Sequence, residues 1–123
     1  MQDFKHIRAW QRAHALAIAL HKAARGFSKQ GYSNLRAQLT KAAESIGDTI
    51  VEGCGADTNK EFARFLDMSI KSANETEGHL LKARDFGLMS VDVWQKHSTE
   101  TVEIRKMTFS YRKKVLASKR QPS

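Results

Sequence analysis

Three short breaks constrain this chain more than any other feature. They are Phe27-Ser28-Lys29-Gln30-Gly31, Gly53-Cys54-Gly55-Ala56-Asp57 and Phe86-Gly87-Leu88-Met89-Ser90. Each is rich in turn-forming residues, and together they leave four segments of roughly 20–28 residues, a length helices reach in bundles. No run alternates with the period of a strand. The chain has one Pro and seven Gly in 123 residues, too few for an all-β or disordered chain.

Apolar spacing inside the segments is helical. Ile7, Trp10, His14, Ala17, His21 and Ala24 recur at three- and four-residue steps, with Ala13, Leu16 and Leu20 beside them. The second segment, Tyr32 to Glu52, carries Leu35, Leu39, Ala42, Ile46, Thr49 and Gly53, with Ile50 adjacent. Its interior Gly47 should weaken or bend it, and Gly53 or Gly55 is expected to supply a left-handed cap. Thr58 and Glu61 fit a capping box at the start of the third segment. There Phe62, Leu66, Ser69, Ala73, Thr76, Leu80 and Ala83 form the seam, and Asp67 and Lys71 make an i,i+4 pair. Gly87 ends that helix. Ser90 starts the fourth, which continues through Trp94, His97, Thr101, Ile104, Thr108, Tyr111 and Val115. The predicted architecture is all-α, an up-down-up-down four-helix bundle over residues 1–117. Residues 118–123 form a basic tail expected to be disordered.

Charge is unevenly placed. The formal net charge is +8, but residues 1–41 hold +7, residues 42–103 hold −6 and residues 104–123 hold +7. In a closed antiparallel bundle the first and last helices are neighbours. The two basic ends should therefore pool on one side, with the acidic helices on the other. Such an excess suits phosphate, which point charges neutralise without reading bases. The candidate nucleic-acid-binding residues are Lys5, Arg8, Arg12, Lys22, Arg25, Lys29, Arg36 and Lys41 from the first half. From the last helix and tail come Arg105, Lys106, Arg112, Lys113, Lys114, Lys119 and Arg120. Tyr111 could stack on a base, though its heptad position points to the core. The basic tail lacks the bulky apolar face that membrane binding needs.

Catalytic and metal-binding patterns are missing from the sequence. No Glu-x-x-His, His-Glu-x-x-His, paired Cys or phosphate loop is present. His14 and His21 sit about 10 Å apart along one helix face, too far for one metal. They read as half-buried or interfacial residues. Cys54 lies near a helix C-terminus, whose dipole does not favour a thiolate, and cannot form an intrachain disulfide. Glu52, Glu75 and Glu77 with Arg84 read as ion pairs that fix helix register within or between subunits. No 18-residue apolar run and no signal-peptide pattern appear, so a cytoplasmic location is expected. No cofactor and no enzymatic activity are expected.

Three blocks carry a family resemblance. The first is Phe4-Lys5-x-Ile7-x-Ala9-Trp10-Gln11-x-Ala13-His14. The second is Ser45-Ile46-x-x-x-Ile50-x-Glu52-Gly53-Cys54-Gly55, continuing to Glu61-Phe62-Ala63-Arg64-Phe65-Leu66. The third is Leu80-Leu81-x-Ala83-Arg84-Asp85-x-Gly87. In order and spacing they resemble the four-helix bundle proteins encoded in intervening sequences of bacterial large-subunit (23S) ribosomal RNA genes. The resemblance spans residues 2–115. A more distant similarity is to the accessory variability protein of diversity-generating retroelements, a basic pentameric barrel that binds nucleic acid and partners a reverse transcriptase. The resemblance implies a ring-like homopentamer and supplies no catalytic residues. Gly47 stands where the family usually has Pro, and Thr76 and Gly78 stand where bulkier residues are usual.

Two functions compete on this reading. One is a non-enzymatic homo-oligomer that binds RNA or DNA with little sequence preference. The other is an accessory subunit that docks a protein through the acidic middle helices, at Asp67, Glu75 and Glu77.

Overall fold

The computed structural model describes residues 2–118. A short 3-10 turn at Phe4–His6 leads into α1, Arg8–Ala23. A second 3-10 turn at Phe27–Gln30 precedes α2, Ser33–Gly53. Then come α3, Asn59–Asp85, and α4, Val91–Ala117. No strand occurs among the described residues. Each helix packs on its chain neighbours, and α1 also packs on α4, which closes an antiparallel four-helix bundle.

The caps show why the segments start and stop where they do. Thr58 Oγ1 accepts from Glu61 N at 3.1 Å, and Ser90 Oγ accepts from Val93 N at 3.2 Å. Only half of the expected capping box forms at Thr58. The Glu61 carboxylate instead accepts from Arg64 at 2.8 and 3.2 Å, a stronger charge-assisted contact. At the end of α3, Gly87 adopts φ 73°. Gly87 N donates to Arg84 O and Leu88 N to Ala83 O, the two bonds of a Schellman cap.

The end of α2 differs from expectation. Neither Gly53 nor Gly55 is left-handed; the positive-φ glycines are Gly31 and Gly87. The chain leaves α2 through Cys54 in a right-handed conformation. Gly53 is needed for closeness instead. A Cβ there would lie 2.8 Å from the Phe62 ring and 3.0 Å from Phe65 Cβ. The α2–α3 corner closes only because position 53 has no side chain.

The core has two apolar clusters, one toward each end. Leu16, Leu20, Phe27, Leu39, Ile46, Leu80 and Ile104 belong to the first. Ile7, Ile50, Cys54, Phe62, Leu66 and Val115 belong to the second. Buried hydroxyls mark the boundary: Thr49 follows Ile46, Ser69 follows Leu66, and Thr108 follows Ile104. Each donates to a backbone carbonyl at 2.8 Å, Ser69 across helices to Ile46 O. Those bonds offset the cost of burying the polar atoms.

The predicted seams of α2 and α3 are buried as expected. The stripe on α1 is rotated. Ala9, Ala13, Leu16 and Leu20 face the core, while His14 and His21 are exposed. Trp10 stacks on His14 with ring centroids 5.0 Å apart. The cause is visible on α2. The Trp10 ring lies over Gly47, where an added Cβ would sit 3.4 Å from the indole. The small residue lets the indole lie across α2 rather than point into the centre.

Candidate nucleic-acid interface

Three of the fifteen candidate cations are structural struts. Arg12 Nε donates to Glu100 Oε2 at 2.8 Å, with Nη2 on the other carboxylate oxygen, and ties α1 to α4. This bidentate bond holds the guanidinium pKa above its ordinary value. Arg105 Nη1 donates to Glu77 at 2.6 Å and to Asn74 at 2.9 Å, tying α4 to α3. Arg112 Nε lies 2.7 Å from Asp67 Oδ1 without the alignment of a hydrogen bond, so that contact is Coulombic. The three guanidinium side chains are 28–33% exposed, against 71% for the Lys106 side chain.

These pairs also revise two sequence expectations. Asp67 turns to Arg112 on α4 rather than to Lys71 on its own helix. Arg84 does not join Glu77. It pairs with Asp85 at 2.9 Å and lies over the Trp94 ring at 4.5 Å. Of the four residues expected to form register-fixing pairs, only Glu77 forms an ion pair between helices; the interhelix pairs among the described residues are Arg105–Glu77 and Arg112–Asp67 between α3 and α4 and Arg12–Glu100 between α1 and α4. Of the three acids expected to form a docking face, Asp67 and Glu77 are paired with arginines of α4, while Glu75 is exposed.

The remaining candidates do not pool in one patch. Because α1 and α4 are antiparallel, the start of α1 meets the end of α4. Lys5, Arg8, Lys106, Lys113 and Lys114 are exposed in that region. Lys22, Arg25, Lys29 and Arg36 lie toward the opposite end, about 25 Å along α1. There Arg36 Nη1 reaches Ser28 Oγ at 3.4 Å. Lys41 stands alone and exposed in the middle of α2. Lys119 and Arg120 lie outside the described residues. Acids near the first group are few. Asp3 lies 3.7 Å from Lys5, Glu103 lies 3.9 Å from Lys106, and both contacts are solvent-exposed and weak.

Three of the first group line a recess of about 400 Å³ between α1 and α4. Arg8, Lys106 and Lys114 line it with Ile7, Met107 and Tyr111, and no carboxylate does. Sequence reasoning missed this recess as a unit. The signal was present in Lys106, Ser110 and Lys114, which follow one another at four-residue steps and therefore stack on one face of α4. A second groove of about 400 Å³ runs between α1 and α2, past Trp10, His14 and Ile18. It carries Glu44 and Asp48 opposite Lys22 and Arg25, so its charges are mixed.

Four partly or fully buried titratable groups add little to the surface field. Burial pushes the Cys54 thiol up to about 11, helped by Asp3, so the thiol stays protonated and unreactive near neutral pH. Burial raises the Tyr111 phenol, with Cys54 adding to the shift. His79 and His97 are held below the ordinary imidazole value, chiefly by burial, and are neutral at pH 7. Among the described residues, no group of three or more His, Cys, Asp or Glu is placed to hold a metal ion. No helix among them is long and apolar enough to cross a membrane.

Comparison with known proteins agrees with this architecture. A solved structure from Bacteroides thetaiotaomicron is described as a protein of unknown function from the S23 ribosomal protein family. It matches with a TM-score of 0.78 at 22% identity, over 85% of this chain and 98% of that one. The likeness shows a shared fold. No curated protein matches the chain. A family profile described as 23S rRNA-intervening sequence protein matches residues 5–110. The chain belongs to the 23S rRNA-intervening sequence protein family.

Proposed function

We propose that this protein is a non-enzymatic, self-associating bundle that binds RNA or DNA through phosphate contacts with little sequence preference. The observation that carries the reading is the carboxylate-free recess between α1 and α4, with Arg8, Lys106 and Lys114 on its walls. Exposed cations that outnumber the acids near them give a field that attracts any polyanion. Among the described residues there is no zinc module and no pattern of a recognition helix to read bases. A homopentamer, as the family resemblance implies, would repeat the patch five times with +8 per chain.

Light scattering on nuclease-treated protein, with and without RNA and duplex DNA, tests both parts. The expected result is a particle five times the 13.9 kDa chain mass that gains mass with either polymer at low salt. A 13.9 kDa monomer that ignores both polymers would refute the proposal. A ring that ignores both but copurifies with another protein would move the function to protein docking.

A further inference from the structure

We infer that the α1/α4 recess seats one nucleotide of a single strand, with its base on the apolar floor and its phosphates on the flanking cations. The inference rests on the nucleic-acid reading above and adds a binding mode to it. Phosphate contact alone needs only an exposed basic surface. This surface has a cavity in it, and the cavity is mixed in a specific way.

Its walls and floor differ in chemistry. Arg8 comes from the start of α1, and Lys106 and Lys114 from α4. The two lysines are about 12 Å apart along the helix, one on each side of Ser110. A phosphate on either side of a seated base would therefore meet a cation. The floor is Ile7, Met107 and Tyr111. Tyr111 is half-buried, and its ring packs edge-on against Phe62 at 5.9 Å. That contact fixes the ring while leaving part of it in the recess. Met107 Sδ lies 3.3 Å from Arg12 Nη1, so the side chain under the recess is also held. Fixed aromatic and thioether surfaces are suited to a base, because little order is lost on stacking.

Size and charge agree with that occupant. About 400 Å³ falls within the range of small-ligand sites and suits one nucleotide rather than a duplex. A duplex keeps its bases stacked inside and could offer the recess only its backbone. The α1/α2 groove makes the internal contrast. It has the same volume and an aromatic stack, but Glu44 and Asp48 line it and would repel phosphate.

The test uses the full chain, a 20-nucleotide oligo(U) strand and a 20-base-pair duplex, followed by fluorescence anisotropy. Ser110 is exposed on α4, so Ser110→Leu fills the mouth of the recess without touching the core or any charge. Tyr111→Leu removes the ring. Both variants are expected to weaken oligo(U) binding about tenfold, as loss of one stacked base would. Duplex affinity and the salt slope of oligo(U) binding should stay as in the wild type. Unchanged oligo(U) affinity in Ser110→Leu, or an equal loss for duplex, would overturn the nucleotide seat while leaving general phosphate binding intact. Wild-type protein that binds neither polymer at low salt would overturn the broader reading as well. A poly-glutamate peptide that binds as tightly as oligo(U), and weakens in Ser110→Leu, would assign the recess to an acidic partner instead.

Discussion

The α2/α3 seam and the α1/α4 seam are built on opposite principles. Between α2 and α3 the packing is the most extensive in the bundle, and between α1 and α4 it is the least. The first seam is closed by small groups: Gly53 lets Phe62 approach, and Ser69 reaches across to Ile46 O. The second is braced by a solvent-edge ion pair, Arg12–Glu100, and leaves a recess beside it. Close packing is where deletion or addition of a single carbon is felt. An ion-paired, open seam can carry charge and admit a ligand at little cost to stability. The molecule thus separates its closest packing from the surface proposed to bind.

That separation can be broken by substitution, beginning with the closed seam. Gly53→Ala places a methyl group against the buried Phe62 ring, and we expect a loss of about 2 kcal/mol in urea unfolding. Arg12→Ala removes the brace between α1 and α4 and leaves the Glu100 carboxylate two-thirds buried and alone. Its expected cost is smaller, about 1–1.5 kcal/mol. If Arg12→Ala proved the more damaging of the two, the contrast between the seams would be reversed. Gly47→Ala should stabilise by about 0.5–1 kcal/mol, because its methyl group meets the Trp10 indole at ordinary contact distance and the helix loses a glycine. Lys106→Gln combined with Lys114→Gln should change the unfolding free energy least, by about 0.5 kcal/mol or less. A large shift there would mean that the open seam depends on its cations for stability.

Much of the fold was legible because each local signal agreed with the others. The breaks at residues 27–31, 53–57 and 86–90, the caps at Thr58 and Ser90, and the period of Leu35 to Gly53 all specify the same four helices. The failures came where a contact between helices decided the outcome. Trp10 and His14 sit at helical spacing with the core, but the indole lies over Gly47 on α2 and stacks on His14. Gly53 looks like a cap in sequence and is a contact point in space. The site was legible only as a composition. Spacing along the chain does not separate Arg12, Arg105 and Arg112, paired across helices, from Lys106 and Lys114, which are exposed. The difference lies in the helix that faces each of them. The recess was hidden for the same reason, since α1 and α4 supply its walls from opposite ends of the sequence.

The central claim is that the open seam is an electrostatic nucleic-acid face. The most direct measurement is the salt dependence of oligo(U) binding by the wild type and by the Lys106→Gln, Lys114→Gln double variant. With about six phosphates of a single strand engaged, the wild-type log–log slope should be near −4, and the double variant should flatten it by about 1.5. A wild-type affinity that ignores salt, or a double variant with an unchanged slope, would contradict the account.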